Sequence, residues 1–161
     1  MLKNLNQLVH EYTSQLQHGE LQAAYKGILQ FIGKLRAELI KKYPHDNISS
    51  IYQGYLDMTY FSLAPEPLKN KGLKIAIVYL HEKGAFEVWL SARNREIAKE
   101  YESLINSNIS DDMKVFHDDA NPDAIIESTL TSAPDFEDPH SLITLIDEGV
   151  KEFLVAVSLR L

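Results

Sequence analysis

The chain has 161 residues, 45% apolar and 24% charged, with a net charge of −7 and no cysteine. That length suits one domain with its own core, and the ordinary composition excludes wholesale disorder and a fibrous class. The lack of cysteine excludes disulfide scaffolds, thiolate zinc sites, iron–sulfur clusters and cysteine nucleophiles together. The longest apolar run, Ile75 to Leu80, falls far short of the ~20 residues a membrane helix needs. The opening MLKNLNQLVHEY has no apolar signal core. The expectation is a soluble, cytoplasmic protein, a single domain over residues 1–161, without membrane contact.

The charge is uneven: residues 1–43 carry a net of +3, residues 44–105 a net of −1 and residues 106–161 a net of −9. A negative chain repels a phosphate backbone, which argues against a nucleic-acid partner.

Along the chain, Leu2, Leu5, Val9, Tyr12 and Leu16 recur at spacings of three and four, which predicts a helix stopped by Gly19. A second helix follows from Glu20 to Tyr43, with Leu21, Tyr25, Ile28, Ile32, Leu35 and Leu39 on one stripe. Lys41 and Lys42 suit the negative end of its dipole, and Pro44 ends it. Gly27 and Gly33 inside it are best explained if the first helix packs close, as in a helical hairpin. From Ile51 to Ala64 the residues turn aromatic and β-branched, which predicts a strand ended by Pro65. Leu73 to Leu80 reads as a strand buried on both faces. The turn His81–Gly84 joins it to a partner strand with Phe86, Val88 and Leu90 on one side and Glu87 and Trp89 on the other.

A third helix is expected over Ala92–Asn106 with Ser91 as its N-cap. Residues 107–123 read as an acidic connection with a short strand near Met113–Phe116. Ala124–Ser132 reads as a strand, and Asp138-Pro139 opens a last helix with Leu142, Ile146, Val150, Phe153 and Val157 on one face. The order ααβββαβα indicates an α+β fold: an N-terminal helical hairpin, then a small, mostly antiparallel sheet of four or so strands with helices packed on it.

Phosphate-cradling glycine loops, nucleophile elbows and zincin motifs are absent. Asp119, Asn121 and Asp123 copy the first half of a calcium loop, but Ala124 and Leu130 stand where its glycine and bidentate glutamate belong. A looser metal site would use His117, Asp119 and Asp123; a solvated acidic connection explains the same residues. Asp57 and Glu87, on predicted neighbouring strands, form a candidate catalytic pair for holding a divalent cation in a phosphodiesterase or nuclease. The element order resembles the restriction-endonuclease-like core, but the Glu-x-Lys of that family is missing, since Val88 and Trp89 follow Glu87; Lys74 would have to substitute. Arg93, Asn94 and Arg95 open the third helix, where unpaired N–H groups and two guanidiniums suit an anion, either an internal carboxylate or a ligand. Tyr52, Tyr55, Tyr60, Tyr79 and Tyr101 could line a pocket or rim a sheet.

The segments YLDMTYFSLAP, LKIAIVYLHEKGAFEVWLSARNR, IIESTL and PDFEDP together resemble an uncharacterised bacterial domain family of unknown function. The resemblance spans nearly the whole chain and singles out Trp89, Asn94 and Arg95; it implies a bacterial, cytosolic protein and carries no activity. The reading is therefore a non-catalytic domain, without a cofactor, that binds a protein partner or a small anionic ligand through Arg93, Asn94, Arg95, Trp89 and Tyr55. The alternatives are the degenerate diesterase and a domain that self-associates through its long second helix into a homo-oligomer.

Overall fold

The computed structural model describes the backbone of residues 2–106, 114–115 and 124–161, and the side chains of residues 2–101 and 124–161. The chain falls into two compact units, Met1–Leu35 and Arg36–Leu161, with the boundary inside the second helix.

In the first unit, helix α1 (Leu5–Gln17) starts at a capping box. The Asn4 side chain accepts from the Gln7 N–H and the Gln7 side chain accepts from the Asn4 N–H, each at 2.9 Å. Gly19, at φ 77°, turns the chain into helix α2 (Glu20–Lys42), and the Gln22 amide donates to the Leu16 carbonyl across that turn. No α1 side chain is buried, and its stripe of Leu5, Val9 and Tyr12 lies exposed. Among the described residues, a Cβ placed on Gly27 or Gly33 meets nothing within 4 Å. The close backbone approach expected at these glycines is thus not what they serve. Along α2 the predicted stripe is exposed at Leu21 and buried at Ile32, Leu35 and Leu39.

The second unit is built on a six-stranded, wholly antiparallel sheet, and the fold is α+β with more strands than predicted. Its order is β1 (Tyr52–Gln53), β2 (Met58–Leu63), β3 (Leu73–Leu80), β4 (Ala85–Ala92), β6 (Ala124–Thr131), β5 (Lys114–Val115). A four-residue helix α3 (Glu66–Lys69) joins β2 to β3, α4 (Arg95–Asn106) follows β4, and α5 (Pro139–Ser158) ends the chain.

The strand expected over 51–64 is two strands, because the backbone reverses at Gly54–Asp57. The Asp57 carboxylate accepts from the Tyr55 and Met58 N–H groups, and Leu56 is held at φ 67°. A Cβ on Gly54 would collide with that carboxylate and lie 2.6 Å from the Met58 carbonyl oxygen, so glycine is required there. The β3–β4 hairpin forms as predicted, with Leu80 opposite Ala85 and Gly84 at φ 63°. Strand β4 runs on through Ala92, so Ser91 is a strand residue. The cap of α4 is Asn94, whose side chain accepts from the Ile97 N–H at 2.9 Å.

Alternation divides the sheet into two faces. Phe61, Ile77 and Val88 lie side by side on one face, as do Leu63, Ile75 and Leu90, all fully buried. Helix α5 packs on β6, where a Cβ on Gly149 would stand 2.7 Å from Leu130 Cδ2. It starts as predicted, with Asp138 capping the Ser141 N–H, and it buries the predicted Leu142, Ile146, Val150, Phe153 and Val157.

Among these apolar residues of α5 sits buried Asp147. It accepts from Tyr43 Oη at 2.8 Å and pairs with Lys42 Nζ, while Lys151 Nζ stands 3.5 Å away. Burial pushes the Asp147 carboxyl up. The hydrogen bonds from Lys42 and Tyr43 and the charges of Lys42 and Lys151 outweigh that and hold it below the ordinary carboxylate value. Burial, and then the Asp147 hydrogen bond, push the Tyr43 phenol up to about 12. The end of α2 is thus tied to α5 by a charged cluster. The sequence pattern explained Lys42 by the helix dipole alone.

Candidate binding site on the second sheet face

The second face carries Tyr60 and Ser62 of β2, Lys74, Ala76 and Val78 of β3, and Glu87, Trp89 and Ser91 of β4. Register sets them in rows: Tyr60 beside Val78 and Glu87, Ser62 beside Ala76 and Trp89, Lys74 beside Ser91. In the middle of these rows the residues are small. Ala76, Ser62, Ser91 and Ala92 leave a hollow of ≈110 Å³ bounded by Tyr60, Lys74, Val78 and Trp89. Its floor is apolar, part of a buried cluster of Ala76, Val78, Trp89 and Ala124. Its polar groups are the hydroxyls of Tyr60, Ser62 and Ser91 and the ammonium of Lys74.

Among the described residues none of these four side chains has a hydrogen-bond or ion-pair partner. Ser91 is only 5% exposed and lines the hollow. Burial, and then the neighbouring Tyr52, raise the Tyr60 pKa, so this phenol is a neutral donor at physiological pH. The Tyr52 and Tyr60 rings stand 4.9 Å apart, centroid to centroid.

Glu87 closes one end of this face. It is 4% exposed, accepts from the Trp89 indole Nε1–H at 2.9 Å and stands 3.7 Å from Lys83 Nζ. Every β4 residue, Glu87 included, is buried. Asp57 is not a strand acid: it lies exposed in the β1–β2 turn. Hydrogen bonds from backbone N–H groups, that of Met58 foremost, hold its carboxyl below the ordinary value. The two carboxylates share no partner among the described residues. Nor, among those residues, does any group of three or more His, Asp and Glu side chains come together as a metal site. His117, Asp119 and Asp123 lie outside the described residues.

Of the predicted anion residues, Trp89 reaches the hollow, while Asn94 is spent on capping α4. Arg93 and Arg95 are exposed, and among the described residues neither forms an ion pair. The Arg93 N–H donates to the Gly72 carbonyl at 2.8 Å, which keeps the chain beside the start of β3 just past Ser91. Tyr55 is 94% exposed at the tip of its turn. The tyrosines do not share one wall. Tyr79 points to the opposite face, among Phe86, Phe136 and His81. There His81 Nε2 and Thr59 Oγ1 lie 2.9 Å apart; burial lowers the His81 pKa, and the Asp57 charge works against that.

A signal for the hollow was present in LKIAIVYL. Its odd positions, Ile75, Ile77 and Tyr79, are large, whereas Lys74 and Ala76 on the other parity are polar or small. Together with Trp89 and Ser91 on the next strand, that parity marks a second face with a gap in it.

A wholly antiparallel α+β sheet with a small polar-rimmed hollow on one face is the architecture these elements define. By sequence, a family profile matches residues 5–161, and the chain belongs to that family, described as a domain of unknown function, DUF7000. No curated protein and no solved structure matches. No described helix is long and apolar enough to cross a membrane.

Proposed function

We propose that this protein is a non-catalytic, cytoplasmic domain that binds a small anionic ligand in the hollow on β2, β3 and β4. One observation carries the reading. The Lys74 ammonium and three hydroxyl donors surround a single small cavity, and among the described residues none of the four has a hydrogen-bond or ion-pair partner. Such a set offers charge-assisted and neutral hydrogen bonds to an anion over an apolar floor, the usual make-up of a ligand pocket. Arg93 and Arg95, at the same end of β4, add positive potential that draws an anion toward it.

The test is thermal unfolding in phosphate, sulfate, acetate and propionate against chloride at fixed ionic strength. A bound anion at a hundred times its Kd stabilises by ~2.7 kcal/mol, roughly 5–10 °C for a chain of this size. Lys74→Met removes the shift without disturbing the core, since Lys74 is exposed. A panel without any shift, or a Lys74→Met protein that shifts like the wild type, refutes the reading.

A further inference from the structure

We propose that the anion is a compact monocarboxylic acid. Its carboxylate lies between Lys74 and the Ser62 and Ser91 hydroxyls, and its short apolar tail lies over Ala76 and Val78 against Trp89. This rests on the anion-binding reading above and adds the chemical class.

Charge comes first. The lining holds one cation, and the buried Glu87 carboxylate stands next to Trp89 on the same face. A dianion such as a phosphate monoester would bring a second negative charge with no counter-ion in the lining. A monocarboxylate is matched one to one by Lys74, and hydroxyl donors suit its remaining lone pairs. Size comes next. At ≈110 Å³ the hollow is smaller than the ~150 Å³ cavity that admits the six carbons of benzene, so it takes about four or five non-hydrogen atoms and no nucleotide or sugar phosphate. Polarity is the third argument. Ala76, Val78 and the Trp89 indole present only carbon to the ligand, because the indole N–H is already given to Glu87. Ser91, a residue 95% buried, lines the same cavity and adds a hydroxyl donor beside Lys74.

Trp89 is the only tryptophan in the chain, so its emission reports on this cavity alone. The experiment titrates the intact protein at constant ionic strength with acetate, propionate, butyrate and hexanoate, and with methyl propionate and inorganic phosphate. The expected result is a saturable emission change whose affinity rises about fourfold from acetate to propionate and stops rising at butyrate and hexanoate. Methyl propionate and phosphate give no saturation. Lys74→Met weakens propionate by about tenfold or more. Ala76→Leu fills the hollow and abolishes the response. Should that variant fail to fold, the exposed Lys74 position and the ester control still decide. Saturation by phosphate but not by the carboxylates overturns the carboxylate assignment and leaves the anion site standing. Silence from every anion, in emission and in unfolding temperature, removes both. Carboxylate binding that survives Ala76→Leu in a folded protein places the ligand elsewhere and overturns the proposal.

Discussion

Asp147 is the position where a single substitution tests the packing most directly. Asp147→Ala removes the acceptor of the Tyr43 hydroxyl and the counter-ion shared by Lys42 and Lys151. The Tyr43 bond is to a charged, buried acceptor and is worth about 1.5–3 kcal/mol. Both lysine side chains are 51% exposed, so solvent screens them and each attraction adds only ~0.5 kcal/mol. The expected loss is about 2.5–4 kcal/mol, which lowers the unfolding midpoint by roughly 5–15 °C. Because the folded pKa of Asp147 is depressed, its contribution is complete above the ordinary carboxylate value of 3.8 and fades as the pH falls through the folded value. Urea titrations of wild type and variant therefore show a full gap at neutral pH that closes in acid. Tyr43→Phe, alone and combined with Asp147→Ala, isolates the hydroxyl in a double-mutant cycle. A neutral-pH gap below about 0.5 kcal/mol, or a gap that does not narrow in acid, refutes the assignment of stability to this cluster.

Two further perturbations read other parts of the sheet. Glu87→Ala removes the carboxylate that accepts from the buried Trp89 indole N–H and costs about 1–3 kcal/mol with a shift in tryptophan emission, whereas Glu87→Gln keeps an acceptor and costs less; equal losses in chemical denaturation contradict this. His81 binds its proton less tightly folded than unfolded, so stability declines as the pH drops below 6.5 and levels off beneath the folded value. His81→Phe lacks that limb, and an unchanged slope in the variant sinks the argument.

The legible parts of the fold were those set by period and by caps. The stripe from Leu142 to Val157 predicted α5 and the apolar residues of its buried face, though not Asp147 among them, since a 3.6-residue period with Asp138-Pro139 at its head has few other solutions. The β3–β4 hairpin was equally plain from two apolar runs around a glycine-ended turn. Boundaries failed where one local hydrogen bond decided between options. Ser91 and Asn94 are both good caps by residue type; pairing of β4 with β3 and β6 carried the strand past Ser91 and left the role to Asn94. The 51–64 strand failed for a similar reason, because Asp57 offered its backbone an alternative to the ladder.

The candidate site shows why residue type alone misleads about carboxylates. Asp57 and Glu87 attracted attention as acids among strand residues, and each is already engaged by a donor two positions away in sequence: the Tyr55 N–H for Asp57, the Trp89 indole for Glu87. An acid with a donor at that spacing tends to close on its own chain, through a turn in the one case and along one face of a strand in the other. Side chains free for a ligand are those whose register sets them beside small neighbours. Lys74 faces Ser91, and Ser62 faces Ala76, which faces Trp89. Each pairing depends on which residues of separate strands stand opposite one another. Between β3 and β4 that register is fixed by the turn at His81–Gly84, and a one-residue slip there would send these side chains to the other face.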